Sequence, residues 1–433
     1  MSTPVTGPAW IEHSIWWQVY PLGFVGAFPS ETPPGPGDHR LRRLVDWFDH
    51  AIALGASGVA LGPIFDSRTH GYDTTDHFRI DPRLGDDDDF DHLVEQARQR
   101  GLRVLLDGVF NHVGVDFPRR GDPASSEWFS GRNFEGHDEL IALNHRHPPV
   151  ADYVVDVMSH WLERGADGWR LDAAYTVPQR FWAEVLPRVR DRHPGAWFVG
   201  ELIHGDYAAV VEAARFDSAT QYELWKAIWS SLNDGNFFEL DWALQRHNAF
   251  LETFVPQTFI GNHDVTRIAS RLDHPAHPAH ALVILLTIGG VPSIYAGDEF
   301  GFRGVKEERY GGDDAVRPEF PSPPIPLDES GAEVWALHQY LVGLRRRHPW
   351  LHRATTSAVL LENAHYVYET RNGQDALLVA LNNDDEPLRL SLPKLGRAQA
   401  RLVAGSTAPP EEVVDNLEIE PHGWRILVPD SGP

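Results

Sequence analysis

The 433-residue sequence contains no cysteine. That one absence excludes disulfides, zinc–thiolate sites, iron–sulfur clusters and thiol nucleophiles together. Basic residues are scarce: 38 Lys and Arg stand against 62 Asp and Glu, a formal charge of −24. A surface that acidic repels phosphate backbones and anionic lipid, so nucleic acid and membrane surfaces are not expected as partners. Long apolar runs are missing as well. The longest, 281–288, is far too short to span a bilayer. The first residues show no basic stretch leading into an apolar one, so a signal peptide is not expected and the cytoplasm is the expected compartment. No internal repeat, heptad or low-complexity tract occurs. No G-x-G-x-x-G follows the first apolar run, which weakens an open dinucleotide-binding sheet as the fold.

What is present points to a large packed core. Hydrophobic residues make up 42% and charged residues 23%, ordinary globular usage, so long disorder is not expected. Short apolar runs at 15–24, 58–64, 103–110, 168–173, 196–202, 216–222, 257–261 and 292–296 lack strict alternation. They read as strands buried on both faces. Amphipathic segments at 41–54, 87–100, 150–164 and 179–192 lie between them. The acidic run 86–89 reads as a solvated first turn of a helix, closed by Gly101. The alternation predicts a (β/α)8 barrel over residues 1–110 and 145–350, with an open doubly wound sheet as the alternative. A polar, Gly/Pro-dotted excursion at 111–144 follows the third strand, and a loop at 318–326 follows the eighth. Beyond 350, β-like runs at 355–361, 365–370, 376–381, 388–392, 400–403 and 424–428 predict a β-sandwich over 351–433.

In such a barrel the residues at the C-terminal ends of the strands face one site. Reading only those ends collects Asp107, Asn111 and His112, then Arg170 and Asp172, then Glu201 and His204, then Asn262, His263 and Asp264. A fold does not gather four carboxylates at one mouth for stability, because like charges a few ångströms apart repel. With no thiol or metal cage, the chemistry that uses such a cluster is glycosidic bond cleavage. One carboxylate attacks the anomeric carbon while a second, kept protonated, donates to the leaving oxygen. Arg170, two residues before Asp172 on the same strand face, is expected to keep Asp172 ionised. Glu201 has no cation close in sequence, so its carboxyl is expected to rise toward the range of a general acid.

The segments Asp107-Gly-Val-Phe-Asn-His112, Gly168-Trp-Arg-Leu-Asp172, Glu201-Leu-Ile-His204 and Asn262-His-Asp264 resemble the four signature regions of the α-amylase family, in family order. Gly71-Tyr-Asp-Thr-Thr-Asp76 resembles the family's loop after the second strand. Leu140-Ile-Ala-Leu-Asn144 resembles the segment closing its inserted domain B, and Gly289 to Glu299 its eighth-strand motif. The resemblance covers roughly the first 350 residues. It implies a (β/α)8 barrel with a short domain B and a retaining glycosidase acting on soluble α-glucan oligosaccharides. Asp172 would be the nucleophile, Glu201 the acid–base, and Asp264 the group gripping the sugar's 2- and 3-hydroxyls. Tyr72 would stack on the sugar, and His112 and His263 would bind it. Arg170, Arg317 and Asp107 join the substrate-side candidates, with Asp107 also read as structural, holding Arg170 or a neighbouring loop. His204 stays open between a fold-supporting bond and a substrate contact. Trp161, Trp225 and Trp229 read as core.

Four departures qualify the resemblance. Where the family commonly has Lys and His after the nucleophile, this chain has Tyr175 and Thr176. Asn111 matches a calcium ligand but its partner pattern is incomplete, so no cofactor is required and a structural Ca2+ is allowed rather than expected. A D-x-N-x-D-G-like calcium loop after the first strand is missing, and 28–38 is rich in Pro and Gly instead. Thr69 stands where exo-acting α-glucosidases of the family commonly carry Asp. That favours a neopullulanase- or maltogenic-like enzyme, with a transglycosylase or an exo-acting α-glucosidase as alternatives.

Overall fold

The computed structural model describes residues 7–28, 38–309, 311–323, 325–396, 399–406 and 412–429; most of the Pro/Gly-rich stretch 28–38 lies outside them. Among the described residues eight strands pair in parallel: β1 (Trp16–Val19), β2 (Gly58–Leu61), β3 (Arg103–Gly108), β4 (Gly168–Leu171), β5 (Trp197–Gly200), β6 (Ser218–Ala219), β7 (Gln257–Phe259) and β8 (Val291–Tyr295). Their spatial order is β6-β5-β4-β3-β2-β1-β8-β7. A parallel bridge from Thr220 to Gln257 joins the two outer strands and brings the sheet round on itself. Helices follow the strands on the outside: α1 (Phe48–Leu54), α2 (Asp87–Gln99), α3 (Pro148–Glu163), α4 (Gln179–Arg192), α5 (Tyr207–Ala214), α6 (Tyr222–Asp234), α7 (Phe237–Leu251), α8 (His277–Thr287) and α9 (Glu329–Arg347). No helix among the described residues is long and apolar enough to cross a membrane.

The alternation of side chains along each strand decides where the polar groups go. Trp17 and Val19 face the helices, in the main core. Trp16 and Gln18, between them, face inward. The lower interior is apolar: Ile11, Trp16, Ala60, Leu105, Trp197, Val199 and Val291 pack together, with the Trp16 and Trp197 rings stacked at 5.8 Å. One residue pair further along, the register sets Asp107 of β3 directly beside Arg170 of β4. The barrel is thus plugged by tryptophan at one end and carries a charged layer at the other.

Several elements differ from the sequence expectations, each for a local reason. The first strand ends at Val19, because Pro21 opens a helical turn, Pro21–Phe24. A Cβ at Gly23 in that turn would overlap the Arg317 carbonyl, so only glycine lets the loop after β8 pack there. The sixth strand shrinks to two residues because the Gln221 side chain caps α6 by accepting from Leu224 N. The acidic run is not a wholly solvated turn. Asp86 and Asp89 form a capping box, and the fully buried Asp89 takes bonds from His39 Nδ1 (2.7 Å) and Arg42 Nε (2.6 Å). Trp161 is core, whereas Trp225 and Trp229 are half-buried.

Between β3 and α3, three short strands, His112–Gly114, Phe129–Asn133 and Leu140–Leu143, form an antiparallel sheet over the rim. After α9, a six-stranded antiparallel sheet runs from Thr355–Leu361 to Trp424–Pro429. Val367, Leu378, Ala380 and Leu427 on one face pack with Leu388, Leu390, Leu417 and Ile419 of a two-stranded sheet, which gives a sandwich. Tyr366 and Tyr368 on the other face belong to the barrel's core, and Tyr366 donates to Asp241 Oδ1 on α7 at 2.8 Å.

Candidate active site

A cleft of about 340 Å³ opens at the charged end of the barrel. Tyr72, His112, Asp172, Glu201, Asp264 and Arg317 line it, all named by the sequence analysis. Asp107, Arg170 and His263 lie just beneath, almost wholly buried. His204 is exposed and does not line the cleft; its ring is 6.4 Å from that of Tyr175.

Arg170 is the centre of this layer. Its Nη1 donates to both Asp107 oxygens (2.8 and 2.7 Å) and to Asp172 Oδ1 (3.2 Å). Its Nη2 donates to Glu201 Oε1 at 2.6 Å and lies 3.9 Å from Asp264 Oδ2. One guanidinium therefore meets four carboxylates from three different strand ends and a loop. The expectation that Glu201 has no cation beside it is corrected here: the cation comes from the adjacent strand, invisible to local sequence. The expectation for Asp172 is reversed too. Burial and the charge of Glu201 push the Asp172 carboxyl well above its usual range, and the shared Arg170 offsets this only in part. Burial also pushes Asp107 up to about 6. Asp264 goes the other way: burial opposes its ionisation, but His263, Arg317 and Arg170 outweigh it and hold the carboxyl below the carboxylate range. Arg317 Nη2 donates to Asp264 Oδ1 at 2.9 Å.

Glu201 accepts three bonds. Besides Arg170, Ala173 N donates to Oε2 (2.8 Å) and the Tyr222 hydroxyl to Oε1 (3.2 Å). Ala173 holds a left-handed backbone, φ 45°, immediately after Asp172. Such a conformation is strained for a residue with a Cβ, and it persists here where its amide serves the carboxylate. Tyr222 in turn accepts from Asn262 Nδ2 at 2.9 Å. Tyr222 escapes the strand-end reading, which takes nothing from the sixth strand although the run 216–222 ends on it.

The histidines are neutral donors. Gln18 Nε2 donates to His263 Nδ1 (3.2 Å), which leaves the ring proton on Nε2, facing the Tyr72 hydroxyl and Asp264 Oδ2 (3.2 Å). The Tyr72 hydroxyl also donates to Asp107 Oδ2 at 3.2 Å. His112 accepts from Asn111 Nδ2 at Nδ1 (3.1 Å) and donates from Nε2 to Tyr72 O (2.9 Å), so both its ring nitrogens are engaged inside the protein. Burial pushes His263 down to about 3 and His112 down to about 4.

Asn111 thus gives its amide nitrogen, not the oxygen a calcium ion would take, to His112. Among the described residues, the groups of three His or carboxylate ligand atoms lie elsewhere, at His274/His277/His422 and His39/Asp86/Asp89. A calcium ion needs six to eight oxygens, and the surroundings of Asn111 do not supply a carboxylate set for one. Thr69 donates from Oγ1 to the buried Asp73 (2.7 Å), so it braces the loop that carries Tyr72. The far wall of the cleft holds Tyr175, noted in the sequence as a departure, together with residues it did not single out. Tyr175 donates to Glu135 Oε1 of the inserted segment (2.8 Å), and Phe134, Leu140 and Ile203 complete an apolar rim. On the opposite wall Lys306 lies 3.5 Å from Asp313, which pairs with Arg317 at 3.0 Å.

The family profile "Alpha amylase, catalytic domain" matches residues 18–136 and 120–357. A cyclomaltodextrinase of Geobacillus thermopakistaniensis is 27% identical over 98% of this chain and 78% of its own length. An intracellular maltogenic amylase of Bacillus subtilis is 30% identical over 69% of this chain and 57% of its own. Among solved structures, the cyclic α-maltosyl-(1→6)-maltose hydrolase of Arthrobacter globiformis superposes with a TM-score of 0.82 at 25% identity, covering 98% of this chain and 100% of that one.

Proposed function

The chain belongs to the α-amylase family, and from that premise we propose that it hydrolyses α-1,4-glucosidic bonds, and α-1,6 bonds at branch points, in soluble maltooligosaccharides or cyclic α-glucans inside the cell, with retention at the anomeric carbon. The names of its relatives, cyclomaltodextrinase and intracellular maltogenic amylase, support the substrate class and the compartment. The observation that carries the mechanism is the Arg170 fork, joined to Asp172 and Glu201 at the floor of a sugar-sized cleft. Both carboxyls lean on that one guanidinium, which brings them together as a pair at the point of cleavage. When Asp172 is the ionised member it attacks the anomeric carbon, and the proton on Glu201 passes to the leaving oxygen. Water then enters, and Glu201 removes its proton as the glycosyl–Asp172 bond breaks. Asp264, held charged by Arg317, accepts hydrogen bonds from ring hydroxyls that strengthen as positive charge builds on the sugar. In this reading residues 111–144 act as a domain B forming the far wall, and 351–433 as the C-terminal domain.

Retention is checked by NMR of the first product. The new reducing end is expected as the α anomer before mutarotation; a β anomer formed first overturns the mechanism. A product profile over maltotriose, a cyclodextrin and pullulan checks the substrate class. A second reading, transfer of the glycosyl group to another sugar, is favoured by the apolar rim of Phe134, Leu140 and Ile203 beside Glu201, a surface suited to an acceptor ring. Products longer than maltotriose from maltotriose alone decide for it.

The Tyr175–Glu135 bond closes that side of the cleft. Tyr175→Phe is expected to raise KM for maltotriose about 3- to 10-fold with kcat within about twofold, since a single hydrogen bond remote from the reacting atoms is lost. Steady-state kinetics check this, and a matching fall in kcat places Tyr175 in the chemistry instead.

A further inference from the structure

Three histidines meet far from the cleft, where the loop before α8 touches the turn that opens the last strand of the C-terminal sheet. His277 Nε2 lies 3.1 Å from His422 Nδ1. The His274 ring stacks on that of His422 with centroids 3.8 Å apart. One ring nitrogen from each lies within 4.8 Å of the others. We propose that His274, His277 and His422 form a binding site for one divalent transition-metal ion of the zinc type.

The arrangement has most of the features such a site needs, and the stacked His274 ring has only to turn about its side chain to aim a nitrogen at the ion. Zinc at about 2.0–2.1 Å from each tetrahedral nitrogen leaves those nitrogens about 3.3 Å apart, close to the separation of His277 and His422. The outer nitrogen of His422, Nε2, lies 3.0 Å from Asp385 Oδ1. That pairing is the carboxylate–histidine device that fixes which nitrogen points at a metal. Asn383 is the corresponding neighbour of His277, although neither its amide oxygen nor His277 Nδ1 makes a well-aligned bond. His277 is buried. His274 is half-buried and the least constrained. Its Nδ1 accepts a 3.2 Å bond from Ala276 N. With three imidazoles and no thiolate, the donor set suits Zn2+, Ni2+ or Cu2+ rather than Ca2+ or Mg2+. His422 keeps a left-handed backbone, φ 50°. One turn along α8, His280 bonds the carbonyls of Asn382 and Gly423 (3.2 and 3.1 Å), so the ion would sit on a junction already built to join barrel and sandwich.

The test uses the full chain, stripped with a chelator and titrated with Zn2+, and with Co2+ as a spectroscopic probe. Because the chain has 23 histidines, the reading is the difference between variants. The wild type is expected to bind one more equivalent of Zn2+ than His422→Gln, to show a tetrahedral Co2+ absorption band that the variant lacks, and to gain a few degrees in Tm on saturation. Asp385→Asn should keep the band with about tenfold weaker affinity. If His422→Gln does not fold, the half-buried His274→Gln carries the same comparison. Equal Zn2+ stoichiometry in wild type and variants, or no Co2+ band in the wild type, overturns the site. Hydrolytic activity is not part of the readout, so the result is independent of the function proposed above.

Discussion

Asp172→Asn is expected to lower kcat/KM on maltooligosaccharides by at least about 10⁴-fold, about 5.5 kcal/mol of transition-state stabilisation, and to leave the fold intact. The loss follows from the chemistry: an amide at this position cannot form the glycosyl bond. The intact fold follows from the packing. Arg170 meets Asp172 through Oδ1 alone, at 3.2 Å, and an asparagine oxygen can accept in its place. The substitution also removes one negative charge from a crowded set, where burial and Glu201 already disfavour ionisation of Asp172. Tm should therefore be unchanged or higher. Turnover assays and thermal melts on the same preparation check both halves; a variant keeping about a tenth of wild-type turnover removes Asp172 from the nucleophile role.

The second large effect concerns Glu201. Glu201→Gln should reduce turnover of maltotriose by about 10²- to 10⁴-fold, the usual weight of a positioned proton donor. An aryl glycoside with an acidic phenol needs no proton on departure. Its first step should stay near the wild-type rate while the second, which needs a base for water, becomes slow. A burst of phenol followed by a slow steady state is the expected trace. Equal losses on both substrates contradict the acid assignment. Whereas Asp172 is held through one oxygen, Glu201 accepts at both: from Arg170 Nη2 and the Tyr222 hydroxyl at Oε1 and from Ala173 N at Oε2. A glutamine must turn its own N–H toward one of them, so a stability loss of about 1–3 kcal/mol is expected beside the kinetic one.

The contrast between these two carboxylates shows how far the sequence could be read. Both were found because parallel strands end in step, so residues just past buried apolar runs converge whatever lies between them. Local spacing even placed Arg170 beside Asp172. It also offered Asp107 as a holder of Arg170, which the structure shows, but it could not show that the same guanidinium reaches Glu201 more closely than Asp172, because that depends on the neighbouring β5. Tyr222 escaped notice for a related reason. It lies one residue into a helix, not at a strand end, and reaches Glu201 only because α6 begins over the cleft.

What the sequence determined by itself was the succession of elements, the residues at the strand ends and the resemblance they carry, since each depends on periodicity and spacing within a few residues. The tertiary structure decided how the charges are shared, that Asp89 is buried rather than solvated, that His204 stands outside the cleft and that His422 meets His274 and His277. Those outcomes rest on distances between chain segments tens to hundreds of residues apart. Electrostatic and metal-binding energies change steeply over such gaps of one or two ångströms, and no local pattern records them.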